Sequence, residues 1–215
     1  MKVAILGTGA VAIDLAKGFV SRGHSVVFGT RNAQGETAVK AVAAVAGSSA
    51  APYAQAASQA EMAVLATSWS GTQNAVQLTT NTALKGKLLI DVTNPLDFST
   101  GKPQMALGFP NSAGASIQAW LPDAKVVKAF NIITSTRMID PQFSDGQPDM
   151  FIAGNDAAAK QQTADLLKAF GWRSAIDMGD ISKSYLLEAL AMVWIEYGVS
   201  RNHWNHGISL LGAQA

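Results

Sequence analysis

The sequence has no cysteine among its 215 residues. Disulfide bonds, thiolate metal sites, iron–sulfur clusters and a cysteine nucleophile are therefore excluded. It also has no apolar run close to the roughly 20 residues that a membrane-spanning helix needs, so no membrane span is predicted. Met1 leads straight into an apolar segment without room for a signal peptide, which predicts a cytoplasmic location.

Charged residues are scarce, at 14% of the chain, and the two signs nearly cancel, with 16 Lys and Arg against 15 Asp and Glu. This balance gives no indication of nucleic acid or a membrane surface as the main partner. Hydrophobic residues make up 48% of the chain, which is typical of a buried sheet covered by helices. Two nearby histidines, His203 and His206, lack a third ligand, so no metal site is predicted.

The strongest motif lies at residues 2–12 (KVAILGTGAVA). Its apolar start predicts a buried strand and its second half the beginning of a helix, with the dinucleotide-binding pattern Gly-x-Gly-x-x-Ala between them. Gly7 permits the tight turn, Gly9 lets the backbone approach a pyrophosphate, and the helix N-terminus supplies amide donors. The motif therefore predicts a nucleotide site built by Gly7, Thr8, Gly9, Ala10 and Val11.

The residues that follow the second predicted strand (25–28) decide which dinucleotide is favoured. In sites for NAD, an Asp or Glu at roughly 20 residues from the glycine turn accepts a hydrogen bond from the ribose 2′-OH. This sequence has Thr30, Arg31 and Asn32 there instead. Such donors suit a 2′-phosphate, and Arg can bind two of its oxygens at once. The alternative is a solvated arginine in a turn, but the position favours NADP(H).

Three further predicted strands end in polar or aromatic residues. Because ligands of open α/β sheets bind beyond the carboxyl ends of the strands, we expect these residues to face the cofactor. They are Thr67, Ser68 and Trp69 after a strand at 62–66, Asn94 and Pro95 after one at 88–92, and Asn131 after one at 125–130. Trp69 could equally be an ordinary packing residue, and Asn94 could serve only the turn that Asn-Pro favours.

The rest of the chain completes an α/β pattern. A short third strand is expected near Tyr53, and further strands at 150–153 and 174–178. The Gly- and Pro-containing stretch 98–112 has no periodicity and is predicted to be a long loop, a candidate lid or acceptor-binding loop. We predict a Rossmann-type, doubly wound and mostly parallel sheet in residues 1–180.

Residues 181–215 are predicted to form a small C-terminal helical extension. Its helix, at 181–197, is apolar almost all round, which indicates burial in the core or between subunits. A dimer contact is favoured, so we expect a homodimer.

No familiar acid–base motif accompanies the nucleotide site. The Tyr-x-x-x-Lys pair of short-chain dehydrogenases is absent, and the chain after the sixth strand is too short for a large helical substrate domain. Hydride transfer to a planar redox ring needs neither an acid–base residue nor a separate substrate domain, since it depends on two rings held face to face. We therefore expect an NADPH-dependent reductase of a small-molecule flavin or deazaflavin-like acceptor. Two alternatives stay open: reduction of a small carbonyl or imine, and a non-catalytic NADP(H)-binding redox sensor.

Several segments together resemble the deazaflavin (coenzyme F420)-dependent NADP oxidoreductase family and the related cytosolic reductase domain of the six-transmembrane epithelial antigen metalloreductases. They are VAILGTGAVA, FGTRN, VLATSW, IDVTNP, FPNSAGASIQAWLPDAKVVKAFN and FIAGNDAAAKQQTADLLKAFGWRSAIDMGDISKSYLLEALAMVWI. These segments cover nearly the full length of the chain, so the resemblance is more specific than any one motif.

The resemblance implies roles for ten of the predicted site residues, and it implies that the last helix and tail help build the dimer and wall the acceptor pocket. Asn131 would stand close to the hydride-transfer centre and act by positioning only; the deazaflavin enzymes tend to carry His there. The other implied contacts are Thr8, Gly9, Ala10 and Val11 with the pyrophosphate, Thr30 and Arg31 with the 2′-phosphate, and Thr67, Asn94 and Ala129 with the nicotinamide ribose.

Overall fold

A computed structural model describes residues 1–212, and within that range the chain forms ten strands and eight α-helices. The strands are β1 (Lys2–Leu6), β2 (Ser25–Thr30), β3 (Ser49–Pro52), β4 (Met62–Leu65), β5 (Leu88–Asp91), β6 (Leu96–Asp97), β7 (Gln104–Met105), β8 (Lys125–Lys128), β9 (Met150–Gly154) and β10 (Ala175–Asp177). The helices are α1 (Ala10–Ser21), α2 (Glu36–Ala44), α3 (Tyr53–Ser58), α4 (Trp69–Thr79), α5 (Asn81–Leu84), α6 (Ala113–Trp120), α7 (Ala157–Ala169) and α8 (Ser184–Arg201).

Eight of these strands form one sheet in the order β10-β9-β8-β5-β4-β1-β2-β3. β1 has parallel neighbours on both sides, β2 and β4, and the parallel run continues through β5 to β8. β9 is antiparallel to β8, and β10 is parallel to β9. The chain moves outward from β1 to β3 and then returns to the other side of β1, which leaves a crevice at the carboxyl ends of β1 and β4. This confirms the predicted doubly wound, mostly parallel sheet.

Apolar side chains cover both faces of the sheet. Because neighbouring residues of a strand point to opposite faces, Val3 and Ile5 lie in one hydrophobic cluster and Ala4 and Leu6 in the other. The first cluster includes side chains from α1, α2, α7 and α8, and the second includes side chains from α3, α4, α5 and α6. Burial on both faces explains why these parallel strands are almost continuously apolar in sequence.

The short third strand lies next to Tyr53, as expected. It is Ser49–Pro52, and Tyr53 is the first residue of α3 rather than part of a strand. The physical reason is the spacing of the apolar residues, because Tyr53, Ala56 and Ala57 share one face of a helix and are buried there. The stretch 98–112 is not wholly irregular either, since β7 lies within it and pairs with β6 as an antiparallel hairpin.

A short 3-10 turn leads into α8, whose two faces differ in exposure. Buried and exposed positions alternate with helical spacing, so the helix is packed on one side only. The buried face includes Leu187, Glu188, Ala191, Trp194 and Ile195, and the exposed face includes Leu186, Val193 and Tyr197. The prediction of a helix that is apolar on nearly all sides therefore corresponds to one core face and one exposed apolar face.

The predicted domain boundary at residue 180 stays a prediction. Ala191 of α8 belongs to the first core cluster, so the helix of the extension packs on the sheet. Residues 213–215 of the predicted extension lie outside the described range. None of the helices within residues 1–212 is long and apolar enough to cross a membrane.

Candidate functional site

The glycine turn after β1 has the geometry that its motif predicts. Gly7 has a φ of +128°, and a Cβ there would lie 2.3 Å from the carbonyl oxygen of Ala66, so only glycine fits. Gly9 directly precedes α1, and as a glycine it provides no side-chain cap for the helix. Apart from its chain neighbours, no atom of residues 1–212 lies within 4 Å of the position a Cβ on Gly9 would take. Gly9 and Ala10 are exposed, and the first amides of α1, at Ala10 and Val11, have no acceptor within the helix, so they are available to an anion.

The carboxyl end of β2 carries the three residues predicted to contact the ribose. Thr30 ends the strand and is buried, whereas Arg31 and Asn32 are exposed. Asn32 Oδ1 accepts a hydrogen bond from the backbone N–H of Gln34 (3.0 Å), so it shapes the turn. Burial raises the pKa of Tyr53, and the charge of nearby Arg31 partly offsets the rise. Within residues 1–212 the Arg31 guanidinium forms no salt bridge, which leaves it available for an anion.

At the end of β4, the half-buried side chain of Thr67 takes part in a hydrogen-bonded chain. Thr67 Oγ1 lies 2.8 Å from Thr72 Oγ1, and the Thr72 hydroxyl donates to the carbonyl of Ser68 (2.9 Å). Since the Thr72 proton is used, Thr67 donates the first bond and keeps acceptor capacity. Trp69 stacks on Trp120, with ring centroids 6.0 Å apart and an interplanar angle of 20°. Trp69 therefore packs against another side chain, which is the alternative to a cofactor contact that the sequence left open. A contact of Trp69 with the cofactor stays a prediction.

The ends of β5 and β8 are joined by a pair of asparagines. Asn94 Nδ2 donates to the carbonyl of Asn131 (2.8 Å). Asn131 Nδ2 donates to Asn94 Oδ1 (3.0 Å) and to the carbonyl of Leu187 in α8 (2.9 Å), and these two acceptors fix the orientation of its amide. Asn131 Oδ1 is then left buried without a partner among the residues that the structure describes. A buried acceptor without a donor is costly, and a ligand N–H would remove that cost.

The residue before Asn131 has an uncommon backbone. Phe130 has a φ of +62°, in the left-handed region that residues with side chains seldom adopt. Its buried ring packs against Phe170 and Trp172, with centroids 6.2 and 6.3 Å away. Packing thus holds a strained backbone next to Asn131, and strain of this kind is frequent at functional sites.

The two remaining predicted site residues are covered. Pro95 is buried, and its carbonyl accepts a hydrogen bond from the N–H of Ala106 (2.7 Å), which links this edge to the chain after β7. The side chain of Ala129 has no exposed surface, and its N–H donates to the carbonyl of Asp91 (3.1 Å). Contacts of Pro95 and Ala129 with a cofactor stay predictions.

A buried charge network lies directly behind this edge, and the sequence alone did not reveal it. Lys128 Nζ at the end of β8 lies 2.9 Å from Asp91 and 3.1 Å from Glu188, and all three side chains are fully buried. Burial by itself lowers the pKa of Lys128, but the two carboxylates outweigh burial and hold it above its usual value. The lysine is therefore protonated. The one signal in the sequence is that each charge ends or interrupts an apolar stretch, in LLID, KVVK and LLEAL.

The predicted site segments thus share one edge of the sheet. Parallel strands present their carboxyl ends together, and β2, β1, β4, β5 and β8 are consecutive neighbours. Along the edge the segments follow in the order 30–32, 7–11, 67–69, 94–95 and 129–131. The residues expected at the 2′-phosphate and those expected at the nicotinamide therefore stand on opposite sides of the glycine turn.

Comparison with known proteins gives consistent matches. A family model described as NADP oxidoreductase, coenzyme F420-dependent, matches residues 2–95. The crystal structure of a candidate F420-dependent NADP reductase from Arthrobacter sp. FB24 is 35% identical, covers 100% of both chains and has a TM-score of 0.92. An F420-dependent NADP reductase from Methanothermobacter marburgensis is 28% identical and covers 98% of each chain. The rat metalloreductase STEAP3 is 30% identical over 89% of this chain, which is 36% of that protein's length.

These matches support the resemblance seen in the sequence, and they do so over the whole length of the chain. The family model spans the glycine turn, Arg31 and Asn94, and the Arthrobacter structure extends the likeness to Asn131 and α8. NADP(H) and coenzyme F420 are the cofactors for which the family is named. The chain is therefore a member of the coenzyme F420-dependent NADP oxidoreductases, a family of NADP-dependent enzymes.

Proposed function

We propose that this protein transfers a hydride between NADP(H) and a flavin or deazaflavin acceptor at the carboxyl edge of its parallel sheet. The observation that carries the proposal is the order of groups along that edge. Within residues 1–212, a guanidinium without a salt bridge follows β2, an open glycine turn follows β1, and an asparagine pair with one unpartnered oxygen follows β5 and β8. This order matches the sequence of anionic and amide groups in a dinucleotide laid across the crevice.

The anionic half of NADP(H) would be bound near β1 and β2. The space beside Gly9 and the amides at the start of α1 suit a pyrophosphate, with Thr8 next to them. Arg31 and the hydroxyl of Thr30 suit the 2′-phosphate, since guanidinium binds phosphate oxygens in pairs. Asn32 contributes by shaping the turn.

The nicotinamide half would be bound near β4, β5 and β8. Asn131 Oδ1 is a buried acceptor without a donor among the described residues, and the carboxamide of nicotinamide offers N–H groups that would suit it. Thr67 and Asn94 are then suited to the adjoining ribose, with Ser68, Trp69, Pro95 and Ala129 around them. An asparagine amide does not titrate in water, so Asn131 would act by orienting the ring rather than by moving a proton.

When bound, NADPH supplies a hydride, and the acceptor ring takes that hydride together with a proton from water. We assign no proton transfer to Lys128, because it is fully buried and paired with both Asp91 and Glu188, which hold its pKa above the usual value. The contribution of the chain is therefore positioning and the exclusion of water. The deazaflavin acceptor is proposed because two related reductases are named for coenzyme F420.

We also propose that the protein acts in the cytoplasm as a homodimer joined through the exposed face of α8. Val193 is 63% exposed and Tyr197 is 49% exposed, and both lie on that apolar face together with Leu186. Apolar patches of this kind on a helix are typical of subunit contacts.

The experiment that tests the function is NADPH oxidation by the pure protein against FMN, FAD, riboflavin, a deazaflavin, ferric chelates and no acceptor. Turnover confined to the flavin-like acceptors is expected. Oxidation of NADPH by a small imine or carbonyl without any flavin would instead favour that alternative. Tight NADPH binding without turnover in any of these assays would favour the redox sensor.

A further inference from the structure

Three charged side chains are sealed behind the cofactor edge. Asp91 at the end of β5, Lys128 at the end of β8 and Glu188 in α8 are each fully buried, and the lysine contacts both carboxylates. Within residues 1–212 the other ion pairs each have at least one partner with exposed surface, most of them both. The network is thus distinguished by burial and by its place next to the proposed nicotinamide site.

Stability alone does not explain such a network. Removing charges from water has a large cost, and apolar side chains of the same volume often stabilise a fold as well as a buried ion pair does. Charged groups offer what apolar ones lack, because they can hold backbone N–H and C=O groups in fixed directions. The backbone groups that this network holds therefore indicate its role.

One set of bonds fixes Thr93, the residue before Asn94. Asp91 Oδ1 accepts from the N–H of Thr93 (2.9 Å) and from its hydroxyl (2.7 Å). Lys128 Nζ donates to the carbonyl of Thr93 and to Asp91 Oδ2 (2.9 Å). All the polar groups of Thr93 are engaged by the ion pair, so the direction in which the chain enters Asn94 is fixed.

A second set of bonds fixes α8. Glu188 accepts from the N–H groups of Ala113 (3.0 Å) and Gly114 (3.1 Å) at the start of α6, and it also contacts Lys128. The carbonyl of the preceding residue, Leu187, accepts a hydrogen bond from Asn131 Nδ2. Glu188 therefore ties to α6 the turn of α8 whose carbonyl holds the Asn131 amide.

We propose that Asp91, Lys128 and Glu188 are positioning residues that orient Asn94 and Asn131 toward the nicotinamide end of the cofactor. Asn94 is set through Thr93, and Asn131 is set through Leu187 in α8. The inference rests on the proposed function, because it assigns the network to the nicotinamide half of the NADP(H) site. The network contacts neither Arg31 nor the glycine turn, so it should leave the phosphate half unchanged.

The test compares two ligands by calorimetry: NADPH, and 2′-phospho-ADP-ribose, which carries the phosphates but no nicotinamide. The main variant is Glu188→Gln, which leaves Asp91 and Lys128 as a balanced pair. We expect its NADPH affinity to fall about tenfold while its affinity for the truncated ligand stays within about twofold of wild type. A second variant, Asp91→Asn with Lys128→Met and Glu188→Gln, has no buried charge left and should show the same split.

The matched control is Lys125→Met, which removes a lysine from the same strand at its other end, where it pairs with the partly exposed Asp156. The affinities of Lys125→Met for NADPH and for 2′-phospho-ADP-ribose should both match those of wild type. Equal loss of both ligands in the folded variants, no loss of either, or failure of both variants to fold would overturn the positioning role. The proposed function is tested separately, with the wild-type protein alone. It fails if the wild type does not bind NADPH or does not turn over any flavin-like acceptor of the panel.

Discussion

At the scale of single residues, our proposal assigns the choice of NADP(H) over NAD(H) to Arg31. Arg31 is exposed directly after β2, and its guanidinium forms no salt bridge within the described chain. We expect Arg31→Ala to weaken NADPH binding about 10- to 100-fold, as the loss of charge-assisted hydrogen bonds to a phosphate predicts. NADH lacks the 2′-phosphate, so its affinity should hardly change. Titration of both cofactors by calorimetry measures the difference.

The matched control for that prediction is Arg22→Ala. Arg22 lies just beyond the C-terminal end of α1, whereas the glycine turn lies at its N-terminal end, and its charge is engaged by Asp140 at 2.7 Å. Arg22→Ala also removes one guanidinium but leaves the proposed ribose position unchanged, so its NADPH affinity should equal that of wild type. Equal losses of NADPH and NADH affinity in Arg31→Ala would remove Arg31 from the 2′-phosphate site.

At the scale of elements, one carboxylate fastens the C-terminal tail to the sheet. Asp149 precedes β9, its side chain is 1% exposed, and it accepts hydrogen bonds from Arg173, Ser174, Ser209 and the N–H of Leu210. Burial by itself raises the pKa of Asp149, but bonds from Arg173, Ser174 and Leu210 outweigh it and hold the pKa below its usual value.

That lowered pKa predicts a pH dependence. A carboxylate with a lower pKa in the folded state stabilises the fold above its unfolded-state pKa of about 3.9, and the stabilisation is lost as pH falls through the folded-state value. We expect Asp149→Asn to melt at a lower temperature than wild type at pH 7. The gap should close as pH falls below about 4. Thermal melting across pH measures it, and a gap that is independent of pH would contradict the role of the charge.

At the scale of the whole molecule, the exposed face of α8 predicts the oligomeric state. Val193→Glu places a charge in the middle of that apolar face, so it should convert a dimer into a monomer by sedimentation at micromolar concentration. The matched control is Val39→Glu on α2, a valine of similar exposure (56%) on a different helix. A monomeric wild type would mean that there is no subunit contact. Dimers that persist in Val193→Glu would mean that the subunit contact lies on another surface.

Much of the fold was predictable because its signals are local. Apolar runs such as residues 3–6 and 88–90 mark strands that are buried on both faces, and glycine marks the turn after β1. The third strand was predicted near Tyr53, but the helix α3 that begins there was not, because a six-residue alanine-rich helix and a short strand have similar compositions. The antiparallel direction of β9 was also invisible in sequence, since pairing direction depends on distant partners.

The candidate site was predictable to the same extent. The dinucleotide motif, Arg31 and the strand ends at Asn94 and Asn131 follow from spacing and from the rule that ligands bind at carboxyl ends. The pairing of the two asparagines, the strained Phe130 before one of them and the charge network behind them did not follow. Each is a contact between segments that lie far apart in the chain.

By itself, the sequence determined the class of fold, the dinucleotide motif and the preference for NADP(H), because short-range patterns of apolar residues, glycine and charge encode these. Only the tertiary structure decided which polar groups are satisfied and which are left for a ligand. Lys128 is a buried lysine with two carboxylate partners, and Asn131 Oδ1 is a buried acceptor with none among the described residues. Burial and partnership depend on how whole elements pack, so no stretch of sequence contains them.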